Sequence, residues 1–82
     1  MYISRSSVRT KILEHLFQRG PTTPTELASM DREYLSHISR ALAELKAQGL
    51  VRSIAIPSSR QKYYETTRKG IELYASISHL PR

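Results

Sequence analysis

The stretch DREYLSHISRALAELKAQGLV, Asp31 to Val51, limits the possible folds of this chain more than any other. Leu35, Ile38, Leu42 and Leu45 recur at spacings of three, four and three. At about 100° per residue these share one side of a helix and should face a core. The same angular step puts Glu33, Ser36, His37, Arg40, Glu44 and Ala47 on the opposite side, with Ser39 and Arg32 along one flank. That polar face meets solvent or a partner. Asp31 can cap the start with its carboxylate, and Gly49 followed by Leu50 supplies a left-handed stop with its hydrophobic contact. A well-bounded helix over 32–48 is expected.

The flanking segments turn this helix into an architecture. Upstream, Ser7 precedes an amphipathic run in which Val8, Ile12, Leu13, Leu16 and Phe17 form an apolar face ending at Gly20-Pro21, so a first helix is predicted over 7–19. Thr23-Pro24-Thr25-Glu26 reads as a capping box with proline at the first helical position. It should open a short second helix over 24–29 that carries Leu27 and Ala28 inward. The few residues left before the 32–48 helix match the turn of a helix-turn-helix, whose second helix is the one that recognises DNA.

Past Gly49 the period changes. Val51, Ile54 and Ile56 mark one β-prone run, Pro57-Ser58-Ser59 a turn, and Lys62-Tyr63-Tyr64-Glu65-Thr66 a second β-prone run, giving a hairpin over 51–66 with a basic tip. Tyr63 and Tyr64 fall on opposite strand faces, so one should pack inward. Thr66 or Thr67 can cap a last helix over 67–79 bearing Ile71, Leu73, Tyr74, Ile77 and Leu80. Gly70 inside it should weaken it by roughly 1 kcal/mol against alanine. Helix, helix, recognition helix, two-stranded wing and terminal helix is the order of a winged helix-turn-helix. The expected fold is therefore α+β, mostly helical, with 1–82 as a single domain.

At this point the chain resembles a known family. Ile38-Ser39-Arg40 followed by Leu42-x-x-Leu45-x-x-x-Gly49-Leu50-Val51 looks like the recognition-helix signature of the MarR, ArsR and PadR groups of bacterial and archaeal repressors. Tyr64-x-x-Thr67-x-x-Gly70 is similar to their wing-to-helix junction, with Thr66 where leucine is usual. The resemblance covers nearly the whole chain. It implies that the outer face of the recognition helix enters the major groove of double-stranded DNA while the wing touches the backbone or minor groove. Carried over by position, the contacts are Ser36, His37, Ser39 and Arg40, with Arg32 on the flank and Arg60, Gln61 and Lys62 on the wing. Arg40 is the foremost base reader, because a guanidinium can donate two hydrogen bonds to guanine O6 and N7. Glu33 and Glu44 share that face, where carboxylates repel phosphate unless they accept from cytosine or tether a neighbouring arginine.

Charge supports the same partner. Thirteen Lys and Arg against seven Asp and Glu in 82 residues give a formal charge of +6, which favours a polyanion. Arg52, Arg60, Lys62, Arg68 and Lys69 cluster around Glu65 in the wing and its exit, and Arg5, Arg9 and Lys11 form a second basic group. The absence of cysteine excludes disulfides, thiolate metal sites and cysteine nucleophiles. His15, His37 and His79 lie on different helices without a ligand at metal spacing, so neither metal nor cofactor is expected. No nucleophile, base and orienter form a recognisable set, and an enzyme is not expected. No apolar run approaches the ~18 residues of a membrane span, and the expected location is the cytoplasm.

The terminal helix carries more apolar surface than one small core can cover. Ile71, Tyr74, Ile77 and Leu80 are the expected interface of a homodimer, with Tyr2 and Ile3 able to join it, and a two-fold repressor dimer would read a palindromic site. Two other readings fit the same composition: a winged helix that binds an acidic protein or RNA, and an architectural DNA binder without sequence preference.

Overall fold

The structure, a computed structural model, describes residues 7–77. Its elements are α1 (Ser7–Arg19), α2 (Pro24–Asp31), α3 (Leu35–Ala47), β1 (Val51–Ile54), β2 (Tyr63–Thr66) and α4 (Arg68–Ile77). This is the mostly helical α+β arrangement of a winged helix-turn-helix. Ile12, Leu13 and Leu16 of α1, Leu27 of α2, and Ile38, Ala41, Leu42 and Leu45 of α3 close one core with Leu50 and Val51. Val8, Met30, Tyr64, Leu73 and Tyr74 pack around its edge.

Three helix ends have a plain chemical cause. The Thr23 hydroxyl accepts from the Glu26 amide at 3.2 Å, and Glu26 Oε1 accepts from the Thr23 amide at 3.2 Å. The capping box is therefore complete, with Pro24 opening the helix. At the end of α3, Gly49 adopts φ 75 and the Leu50 amide donates to the Leu45 carbonyl at 2.9 Å, the paired signature of a Schellman stop. Thr67, rather than Thr66, caps α4: its hydroxyl accepts from the Gly70 amide at 3.1 Å and donates to the Gly49 carbonyl at 2.6 Å.

The turn into the recognition helix departs from the expected course. Asp31 does not cap α3; it is the last residue of α2, which runs two residues beyond the expected 24–29. Nothing in Ser29-Met30 breaks the helix, and the Asp31 carboxylate, only 3 % exposed, accepts from His15 Nε2 of α1 at 2.7 Å. The chain reverses at Arg32, which takes the left-handed conformation (φ 54) and donates its amide to the α2 carbonyls. Tyr34 occupies the cap position of α3 with no side-chain cap bond. Arg32 and Glu33 thus belong to the turn, not to the recognition helix, which covers Leu35–Ala47 rather than 32–48. Leu35 is also not part of the buried stripe; as the first helical residue it overhangs the core and is 49 % exposed. Phe17 likewise leaves the core and pairs with Tyr74 of α4, ring centroids 5.3 Å apart.

β1 and β2 pair antiparallel, Val51 opposite Thr66 and Ile54 opposite Tyr63. Val51 is buried and Arg52 points outward to pair with Glu65 across the strands, so alternation holds over these residues. Tyr64 is the tyrosine that packs on the core. Its backbone exchanges two hydrogen bonds with Thr22, 3.0 and 2.9 Å, fastening the returning strand to the link between α1 and α2.

Candidate nucleic-acid interface

On α3, Ser36, His37, Ser39 and Arg40 are all exposed, and the structure brings them together on the side away from Ile38, Leu42 and Leu45. Ala43 and Ala47 are exposed on the same side. Ala43 was not among the expected residues, although it lies seven residues after Ser36 and three after Arg40, a spacing that places it there. Arg40 is exposed and makes no ion pair and no hydrogen bond among the described residues, so its five donors are uncommitted there. His37 is less free: Nδ1 lies 3.1 Å from Glu33 Oε1, and the Tyr34 ring meets the imidazole edge-on at 5.4 Å. Tyr34 itself is 75 % exposed.

The two carboxylates that threatened this face are both held. Glu33 is occupied by His37, and Glu44 accepts from Arg9 of α1 through Nε at 3.1 Å and Nη2 at 2.8 Å. The second tether spans 35 residues of sequence, and no local pattern could have revealed it. At the far end of α3, Lys46 Nζ donates to Ser53 Oγ at 3.3 Å and ties the helix to β1.

The wing tip is ordered by short contacts. The Ser59 amide donates to the Ile56 carbonyl at 2.9 Å, and the Ser59 hydroxyl bridges Gln61. Gln61 does not project freely, because its Oε1 accepts from the Thr25 hydroxyl on α2 at 3.1 Å. Arg60 and Lys62 flank it, exposed and without an ion pair among the described residues. Within the basic cluster, Arg52 is answered by Glu65 and Arg68 by Glu72 at 3.8 Å. Arg60, Lys62 and Lys69 therefore carry the uncompensated charge.

On α4, Ile71 is exposed and Tyr74 half-buried against the core and Phe17. The Ile77 side chain, Leu80, His79, Arg5, Tyr2 and Ile3 lie outside the described residues. No group of three or more metal-capable side chains occurs among the described residues, and no described helix is long and apolar enough to cross a membrane.

The model of the MarR family matches residues 5–63, from before α1 through the start of β2. The chain belongs to the MarR family. No curated protein matches it, but solved structures of the MarR-type fold do. The transcriptional regulator Tm0710 from Thermotoga maritima is 24 % identical with a TM-score of 0.85 over 90 % of this chain and 53 % of that one. The transcriptional regulator BldR from Sulfolobus solfataricus is 28 % identical, TM-score 0.84, over the same shares, 90 % and 53 %. The adhesin competence repressor AdcR from Streptococcus pyogenes is 20 % identical, TM-score 0.85, over 96 % and 58 %. This chain thus spans about half the length of the solved MarR-type proteins it matches.

Proposed function

We propose that the chain is a sequence-specific DNA-binding transcription regulator that acts as a homodimeric repressor on a palindromic double-stranded site. The observation that carries the reading is the outer face of α3. There Arg40, without an ion pair among the described residues, stands among small exposed residues, Ser36, Ser39 and Ala43, on a helix braced by α1, α2 and β1. A helix of that profile can approach base edges closely, and Arg40 supplies the fork that fits guanine. Arg60 and Lys62 reach the adjacent backbone or minor groove from the wing, and Arg32, at the helix-turn-helix corner, lies where a phosphate contact would fix register. Membership of the MarR family and the name of AdcR as a repressor support regulation by DNA binding.

In the dimer, Ile71 and Tyr74 of α4 would pack with Ile77 and Leu80 against their two-fold mates, placing two α3 helices in successive major grooves about 34 Å apart. A dimer seated near a promoter would exclude polymerase by volume. Arg40→Ala tests the reading. It should lose preference for guanine at one position of each half-site by about 1 to 3 kcal/mol, measured by titrating selected and base-substituted duplexes. Unchanged guanine preference with intact folding would take base reading away from Arg40, and binding that shows no duplex preference in either protein would favour a protein or RNA partner or an architectural role.

A further inference from the structure

Glu44 stands four residues after Arg40 on α3, the spacing at which a carboxylate and a guanidinium on one helix pair. In the structure they do not. Glu44 Oε1 instead accepts both Nε and Nη2 of Arg9, from a different helix, and Arg9 is largely covered while Arg40 stands open. Both competitors are arginines, so placement decides: Arg9 brings two donors to one oxygen, whereas an i,i+4 pair with the cation N-terminal to the carboxylate is the poorer orientation on a helix. The tether also draws a negative charge toward α1, away from where phosphates would approach.

We propose that Arg9 is a positioning residue for DNA recognition: by holding Glu44 it keeps that carboxylate off Arg40 and off the incoming backbone. The inference rests on the DNA-binding reading and adds to it a residue outside the helix-turn-helix. Arg9 itself touches no base. Its contribution is that Arg40 meets the groove already free and that no unneutralised carboxylate enters beside it. A purely structural tie between α1 and α3 would affect folding and leave base preference unmoved.

The test is a double-mutant cycle on a duplex carrying the site that the wild-type chain selects, with folding checked by circular dichroism. Arg9→Met should weaken binding roughly three- to tenfold, between the value of one helix ion pair and that of one lost base contact. It should also flatten the preference for guanine at the pair Arg40 reads. Arg9→Lys, which keeps a cation within reach of Glu44, should bind within about twofold of wild type. Arg9→Met with Glu44→Gln leaves no unpaired carboxylate, so it should fold even if Arg9→Met does not, and should return to within about twofold of wild type. A double variant as weak as Arg9→Met overturns the proposal. So does a salt slope shallower by about 0.9 in Arg9→Met, which would make Arg9 a phosphate contact. If the wild-type chain selects no site, the site-specific reading fails and takes the proposal with it. If it selects one and the cycle shows no coupling, only the proposal falls.

Discussion

At Gly70 helix propensity and close packing make opposite predictions. Propensity alone says alanine would stabilise α4 by roughly 1 kcal/mol. The start of α4, however, sits directly on the link from α3 to β1: a Cβ on Gly70 would stand 2.1 Å from the Leu50 carbonyl oxygen and 3.0 Å from its carbon. Those are backbone atoms, and the same carbonyl already accepts the Thr67 amide at 3.0 Å, so it cannot give way cheaply. Gly70→Ala should therefore destabilise by about 1 to 3 kcal/mol in urea unfolding, and a stabilised variant would refute the packing account. Asp31 makes a similar point. Its Oδ2 is buried with no partner among the described residues, and Oδ1 depends on His15. His15→Ala should cost about 1 to 3 kcal/mol, because the whole carboxylate is then buried unsatisfied; a loss below 0.5 kcal/mol, on the order of a surface substitution, would mean the pair contributes little. Neither role was legible in the sequence. An aspartate ahead of a helical pattern has an ordinary reading as a cap, and the imidazole that claims it lies 16 residues away on another helix.

At the scale of the element, what the sequence revealed was whatever short-range chemistry decides. Thr23-Pro24-Thr25-Glu26 specified its own capping box, and the box formed as expected. Thr23→Ala should destabilise by about 1 kcal/mol, read as a lower denaturant midpoint with an unchanged slope. A neutral effect would show that Pro24 and the burial of Leu27 suffice to start α2. The paired β runs were legible because Val51, Ile54, Tyr63 and Thr66 carry β preference on both sides of a Pro-Ser-Ser turn. The start of α3 was not, because the periodic signal from Leu35 to Leu45 continues backwards through polar residues that do not oppose helix. Arg32 in its left-handed conformation ends one helix and separates it from the next, a conformation that favours glycine or asparagine and that arginine does not advertise. The candidate face shows the same division. Ser36, His37, Ser39 and Arg40 follow from helical angle alone, whereas the Gln61 link to Thr25 and the Arg9 tether on Glu44 depend on tertiary placement.

For the whole molecule, fold and charge act together. A small core shared by three helices and the base of the wing holds α3 by its apolar side, leaving its outer side and the Arg60-Lys62 tip as exposed, net positive features of one body. Formal charge +6 draws the chain to any polyanion, and salt weakens that attraction steeply. Charge alone therefore cannot distinguish a regulator from an architectural binder; the proposed base reading by Arg40 would, and only a sequence preference tests it. The most direct measurement is selection of bound sequences from a random duplex pool at about 0.15 M salt, where nonspecific attraction is partly screened. The account predicts enrichment of a palindrome whose half-sites lie one helical turn apart and contain a guanine that Arg40→Ala ceases to prefer. A pool that stays random at salt where the chain still binds would contradict it.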